Sequence, residues 1–244
     1  MKQIHVWALS LFLVCTTGQN ALALDQTLLD LPFDKKLQLA KAGDADARMA
    51  LAEAYETGQG TKESAADAAK WYREAALTGN LDAQFRLAKL VRKGAPGLKI
   101  DKTAALALLL GAAKKGHAPS ENLYGMMVQN GDGAAKDEKA AFEWYGKAAD
   151  QGLAEAQNNL GVMLLLGKGT TRNLDEAFKM FSKAASNKDT FAMNNLGGMY
   201  EKGWAVPKDL DIAKKLYKSA AELGNETGKK NFERLDGPQA TVAP

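Results

Sequence analysis

Few residues in this 244-residue chain have the types and spacing that chemistry requires. Hydrolysis needs a nucleophile with a base in reach, or a metal held by clustered His, Cys or carboxylates. The sequence holds one cysteine, Cys15, and two histidines, His5 and His117. Cys15 and His5 lie in a leading segment expected to be removed, which leaves His117 in "KKGHAPSENL" (114–123). Its imidazole could pair with Ser120 or Glu121. The preferred reading is a solvent-exposed linker residue between the glycine that ends one helix and Pro119, a residue suited to the first turn of the next. One imidazole without cysteine partners cannot build a structural zinc site. The carboxylate pairs Asp137–Glu138 and Asp175–Glu176 could supply an acid and a base. Both fall at expected helix starts, where negative charge opposes the helix dipole. "GQGTKES" (58–64) looks loosely like a phosphate loop, but no strand precedes it and its Lys-Ser pair is misplaced. The expectation is a chain without catalysis, cofactor or metal.

The leading segment has the layout of an export signal. Lys2 is followed by a ten-residue apolar run (6–15) and by the small-residue site Ala21, Leu22, Ala23, predicting cleavage after residue 23. A membrane anchor would need about 20 apolar residues. Lipidation at Cys15 is rejected because Val14 is larger than the residue such sites use before the cysteine. The mature chain then has no thiol and a single His117, and its net charge falls from +3 to +2 with the loss of Lys2. Such near-neutrality gives no reason to expect nucleic acid as a ligand, and nothing after the signal is apolar enough to span a bilayer. About 220 residues can bury an adequate core without disulfides.

What would position side chains here is a repeat. Gly43, Gly79, Gly116, Gly152 and Gly224 lie at intervals of 36, 37, 36 and twice 36. Lys188 stands at the missing place, with Asn187 before it able to adopt the left-handed conformation instead. Gly58, Gly94, Gly131, Gly167 and Gly203 form a second ladder, and Ala52, Ala88, Gly125, Gly161 and Gly197 a third. Paired alanines from Ala75–Ala76 to Ala220–Ala221 form a fourth. One register over five periods marks a repeat architecture. Each unit reads as helix A (154–166 in the fourth), a glycine turn and helix B (174–186). Ser64, Asp101, Asp137, Asn173 and Asp209 open the five helices B as N-caps. Gly161, in mid-helix at a cost of about 1 kcal/mol, marks the closest approach of the two helices, where a larger residue would overpack by about 1–3 kcal/mol. The prediction is an all-α, right-handed α/α solenoid of five repeats: 44–80, 81–116, 117–152, 153–188 and 189–224. Residues 24–43 precede it with a capping helix, 225–235 form a more polar C-terminal capping helix, and 236–244 form a tail too poor in apolar residues to order itself.

The stretches "AEAQNNLGVMLLLGKG" with "DEAFKMFSKAA", and "AAFEWYGKAADQG", closely resemble the Sel-one-like repeat (SLR) family, a subclass of the tetratricopeptide-like α/α repeats. The resemblance covers about residues 44–224. In the fourth repeat the family's small helix-A residue corresponds to Gly161, its loop glycines to Gly167 and Gly169, and its helix-B alanines to Ala184 and Ala185. The second repeat departs with Ala88 and a turn one residue longer (94–101), the fifth with Ala205 for the second loop glycine; these are expected to alter loop shape. The resemblance implies an adaptor or regulator that binds proteins or peptides, here exported, with a periplasmic location preferred to a secreted one. Two alternatives are a β-lactamase-like or cell-wall-modifying hydrolase, as some cysteine-rich relatives suggest, and a secreted effector that binds a host protein. The cysteine-rich branch's disulfide pattern is absent from this sequence.

In such solenoids helix A lines the concave face, which makes positions two, five, nine, twelve and thirteen of each helix A the candidate binding surface. In the first repeat these include Met49, Glu53 and Glu56. In the second they include Lys89, Arg92 and Lys93, a change of sign that could orient a partner. Asn122, Asn158 and Asn194 recur once per repeat and could hold a peptide backbone, or could bond between neighbouring repeats. Met126, Val162, Leu165 and Leu166 form an apolar patch unless curvature buries them. Glu201 and Lys202 complete the surface, with Trp204 beside them as the strongest hot-spot candidate.

Overall fold

A computed structural model describes residues 26–237. The expected export signal, with Cys15, and residues 238–244 of the expected tail lie outside the described residues. The described residues form thirteen helices and, in place of any strand, one isolated bridge between Ala95 and Leu98. After α1 (Gln26–Leu29) and α2 (Phe33–Lys41) come five helical hairpins. Their first helices are α3 (Ala45–Thr57), α5 (Leu81–Lys93), α7 (Ala118–Asn130), α9 (Ala154–Leu166) and α11 (Thr190–Lys202). Their second helices are α4 (Ala65–Leu77), α6 (Lys102–Ala113), α8 (Glu138–Asp150), α10 (Leu174–Ser186) and α12 (Leu210–Glu222). Helix α13 (Glu226–Asp236) packs on α12 and closes the series. Each helix packs chiefly on its neighbours in sequence, the one-dimensional order of a solenoid.

Local chemistry sets the helix ends. Ser64, Asp101, Asp137, Asn173 and Asp209 each accept the amide N–H three residues on, and all five are N-caps. Asp44, Asn80, Asp189 and Asn225 do the same for α3, α5, α11 and α13. His117 and Leu153, at the starts of α7 and α9, make no such bond.

Two expectations at the turns are corrected. Lys188 itself takes the left-handed conformation (φ 63°), while Asn187 stays at φ −92°. The hairpin junction needs positive φ at that position, so the lysine adopts it against its steric preference. Ala205 likewise keeps φ 63°, close to the 67° of Gly169, so the fifth loop is not reshaped by losing its glycine. The longer second turn is pinned by reciprocal Ala95–Leu98 backbone bonds of 2.9 and 2.8 Å.

Gly161 does mark a close approach, and the object approached is a ring. A Cβ there would stand 2.7 Å from Cε1 of Phe181 on α10. Gly125 and Gly197 face Tyr145 and Tyr217 in the same way, at 3.1 and 2.8 Å. The second repeat carries Ala88 and Leu109 at these places, both fully buried or nearly so. The first alanine of every helix-B pair is fully buried: Ala75, Ala112, Ala148, Ala184 and Ala220.

Candidate functional site

The rings that exclude side chains at Gly125 and Gly197 also organise the next turn of helix A. Tyr72, Tyr145 and Tyr217 donate their hydroxyls to Glu56 (2.5 Å), Gln129 (2.9 Å) and Glu201 (2.8 Å), each at position twelve of the helix A in the same hairpin. The fourth repeat has Phe181, which needs no acceptor, and Leu165 at position twelve. Position twelve was expected to be free for a partner. It is coupled to the helix-B aromatic wherever that aromatic carries a hydroxyl, because a buried phenol left without an acceptor costs about 1–3 kcal/mol. Burial and the carboxylate acceptors push the hydroxyl pKa of Tyr72 and Tyr217 upward; for Tyr145 burial is the main cause.

The asparagines form a ladder between repeats. Asn159 Nδ2 donates to Asn122 Oδ1 (2.9 Å), Asn195 to Asn158 (2.9 Å) and Asn231 to Asn194 (2.8 Å). Position five of one helix A thus bonds position six of the next, from α7 through α9 and α11 to α13. Asn122 and Asn158 are consequently buried, at 4% and 8% exposure, as the inter-repeat alternative expected and against their reading as open surface residues. Met49 at the same position in α3 is buried as well. The ladder occupies one end of each amide. The other ends form no hydrogen bond among the described residues, and Asn159, Asn194, Asn195 and Asn231 are partly exposed. The partners Asn159, Asn195 and Asn231 were missed, although the doublets Asn158–Asn159 and Asn194–Asn195 were visible in the sequence.

At the first repeats, Arg86 reaches Glu53 (2.7 Å) and Glu56 (3.8 Å), and these residues with Leu29 and Asp30 line a cavity of about 410 Å³. Burial raises the carboxyl pKa of Glu53 despite Arg86. Lys89 lies exposed with its ammonium 5.6 Å from the Phe85 ring centroid, whereas Arg92 is drawn to Asp132 (3.6 Å), which also accepts from Lys102 (2.6 Å).

At the far end a cavity of about 370 Å³ is lined by Leu165, Asn194, Asn195, Glu201, Lys202, Trp204, Asn231 and Arg234, among others. Glu201 accepts from both Tyr217 and Arg234 (2.7 Å), and the Arg234 bond leads in holding its carboxyl below the usual range. Val162, Leu165 and Met126 are half-buried against the core, so curvature covers part of the expected apolar patch; Leu166 (55%) and Phe191 (65%) remain exposed.

His117 is not a linker residue at the surface. It is 8% exposed, with Nε2 3.1 Å from Asp82 Oδ1 and Nδ1 2.7 Å from Ser120 Oγ. The carboxylate can only accept, so Nε2 carries a hydrogen, and in the neutral ring Ser120 donates to Nδ1. The bond to His117 leads in lowering the Asp82 pKa. The three residue types are those of a serine-hydrolase triad, but Ser120 has no exposed surface and its hydroxyl meets no solvent-borne substrate. The chain of bonds ties α5 to the uncapped start of α7. Among the described residues no cluster of three or more potential metal ligands forms, and no helix is long and apolar enough to cross a membrane.

The family model of the Sel1 repeat matches five times, at residues 45–80, 81–117, 118–153, 154–189 and 190–225. The chain belongs to the Sel1-repeat family. Its structure is similar to that of a protective antigen of uropathogenic Escherichia coli with an SLR fold (29% identity, TM-score 0.77), covering 84% of this chain and 44% of that one. This chain thus spans less than half the length of that relative. A Sel1 repeat protein from Oxalobacter formigenes is similar over 84% of this chain and 90% of its own (27% identity, TM-score 0.74). A third Sel1 repeat structure, from Klebsiella pneumoniae, shares the fold at 23% identity and TM-score 0.54, covering 85% of this chain and all of its own. No curated protein matches the sequence. Sel1 repeats are commonly protein-interaction scaffolds and typically non-catalytic.

Proposed function

We propose that this Sel1-repeat protein is a non-enzymatic adaptor or regulator, exported to the bacterial cell envelope, that binds a protein or extended peptide along its helix-A face. The observation that carries this is the asparagine ladder. Its paired amide ends link neighbouring repeats, while the partly exposed Asn159, Asn194, Asn195 and Asn231 keep a further amide end without a partner among the described residues. A peptide backbone in extended form offers N–H and C=O groups with which such amides can pair. Exposed Phe191 and Leu166 and half-buried Leu165 and Trp204 beside the ladder supply apolar contact, the combination expected of a recognition surface. The leading segment (1–23), read as an export signal, supports the envelope location in this reading.

The test is site-specific photo-crosslinking in the producing cells, with the probe at Leu165, Leu166, Phe191 or Trp204, and at Lys62 and Leu77 as controls. One discrete partner captured from the four surface sites and not from the controls is expected. Equal capture from the controls, or no capture from any site, would refute the assignment of the surface. Fractionation of the same cells checks the envelope location, and a cytoplasmic mature chain would refute it.

A further inference from the structure

We infer that the cavity at the C-terminal end of the helix-A face is an anchor for an acidic, apolar-flanked segment of the partner peptide. This rests on the peptide-binding reading above and specifies the chemistry that its far end selects.

The second residue of each A–B turn is Gln59, Ala95, Asp132, Lys168 and then Trp204. Nothing in the repeat demands an aromatic there, since four turns are built without one. Trp204 leans on the core yet keeps part of its surface open, and its indole N–H makes no hydrogen bond among the described residues. Two cations flank the ring: Lys202 Nζ lies 4.3 Å from the centroid and Arg172 Cζ 5.5 Å. Neither is paired with a carboxylate among the described residues. Arg172 uses its Nε–H to bond the Leu165 carbonyl (3.1 Å), which holds the guanidinium at the rim. The one acidic group in the cavity, Glu201, is bonded by Tyr217 and ion-paired with Arg234, which largely balances its charge. The cavity thus has Lys202 in its lining and Arg172 beside it on the Leu165 carbonyl, two cations with no carboxylate in ion-pair distance among the described residues, together with an indole N–H donor, Leu165 and the amides of Asn195 and Asn231.

A carboxylate matches these donors in kind, because it accepts hydrogen bonds and carries the complementary charge. An apolar side chain next to it would lie against Trp204 and Leu165, while its backbone meets the last amides of the ladder. A basic segment is disfavoured, since it would bring a third and a fourth positive charge to the rim. The apolar body and cationic rim resemble the mixed composition of a binding hot spot.

The test selects peptides from a displayed library of random dodecamers on the full mature chain and on two variants, Arg172→Glu with Lys202→Glu, and Asn195→Leu. On the unaltered protein, the selected peptides are expected to be enriched in Asp or Glu within two positions of a large apolar residue. The charge-reversed variant is expected to lose about tenfold in affinity for those peptides and to select Lys or Arg in their place. Circular dichroism checks that the variants remain folded. Peptides that bind in a manner sensitive to Asn195→Leu but show no acidic preference, or keep it after charge reversal, would overturn this inference and leave the groove intact. Failure of every selected peptide to respond to either variant would overturn the groove reading with it.

Discussion

Gly161 and Gly146 permit one substitution to be tested in two environments with opposite expected signs. Both lie inside helices, α9 and α8, where alanine is favoured over glycine by about 1 kcal/mol. At Gly146 an added Cβ meets nothing within 4 Å, so Gly146→Ala should stabilise by about 0.5–1 kcal/mol. At Gly161 the same Cβ falls 2.7 Å from Cε1 and 2.9 Å from Cδ1 of Phe181, a ring with no exposed surface in which to retreat. Overpacking of about 1–3 kcal/mol then outweighs the propensity gain, leaving Gly161→Ala destabilised by about 1 kcal/mol. Urea unfolding followed by far-UV circular dichroism would resolve this difference. The second repeat suggests the remedy, since Ala88 is paired there with Leu109. In a Phe181→Leu background, Gly161→Ala should cost about 1 kcal/mol less than in the unaltered protein, a coupling that a double-mutant cycle reads directly. Equal stabilisation by both alanine substitutions, or a cycle with no coupling, would refute the claim that the ring dictates the glycine.

Other outcomes follow from the same geometry. Lys188→Gly relieves a left-handed lysine, a gain of about 1–2 kcal/mol set against about 0.4–1 kcal/mol of added unfolded-state entropy, and should raise stability by roughly 0.5–1 kcal/mol in the same urea assay. Tyr72, Tyr145 and Tyr217 have raised pKa values, so above about pH 10 the unfolded chain releases protons that the folded chain retains. Their contribution is therefore complete below that pH and declines as pH rises, and tyrosinate absorbance from these three should appear only together with loss of helix. Asn159→Asp replaces the amide donor facing Asn122 Oδ1 with an acceptor and should cost about 1–3 kcal/mol at neutral pH, with part of it regained in acid as the carboxyl protonates and can donate. A neutral-to-acid stability profile of that variant against the parent checks the sign.

The fold was legible because its signals are local and repeated. The limits of α9 and α10, 154–166 and 174–186, follow from glycine spacing and a capping residue alone. The site was less legible because its residues are defined by partners far away in sequence. Helical phase alone places Asn122 at the surface, and only the 37-residue step to Asn159 shows that it is covered. Glu56, Gln129 and Glu201 look like free surface groups until their tyrosines, 16 residues on, are seen to use them. That pairing could have been found by aligning the repeats and noting that an acceptor at position twelve accompanies each helix-B tyrosine, while Phe181 accompanies Leu165. His117 misled for a related reason. Its proximity to Gly116 and Pro119 suggested a linker, while its main partner, Asp82, lies 35 residues earlier.

The asparagine ladder begins at α7 and ends at α13, so the first two hairpins have no rung of it. An α/α solenoid under load behaves as a spring, and its stiffness at each joint depends on the links that span that joint. The joints from the third hairpin onward carry a directional bond along their inner edge, which resists both unbending and twist. Between the first and second hairpins stand the Arg86 ion pairs, whose energy depends less on angle. The links thus change in kind along the molecule, from ion pairs at the first joint through the Asp82–His117 bond at the second to asparagine pairs from the third hairpin onward, and a spring so built is graded along its length.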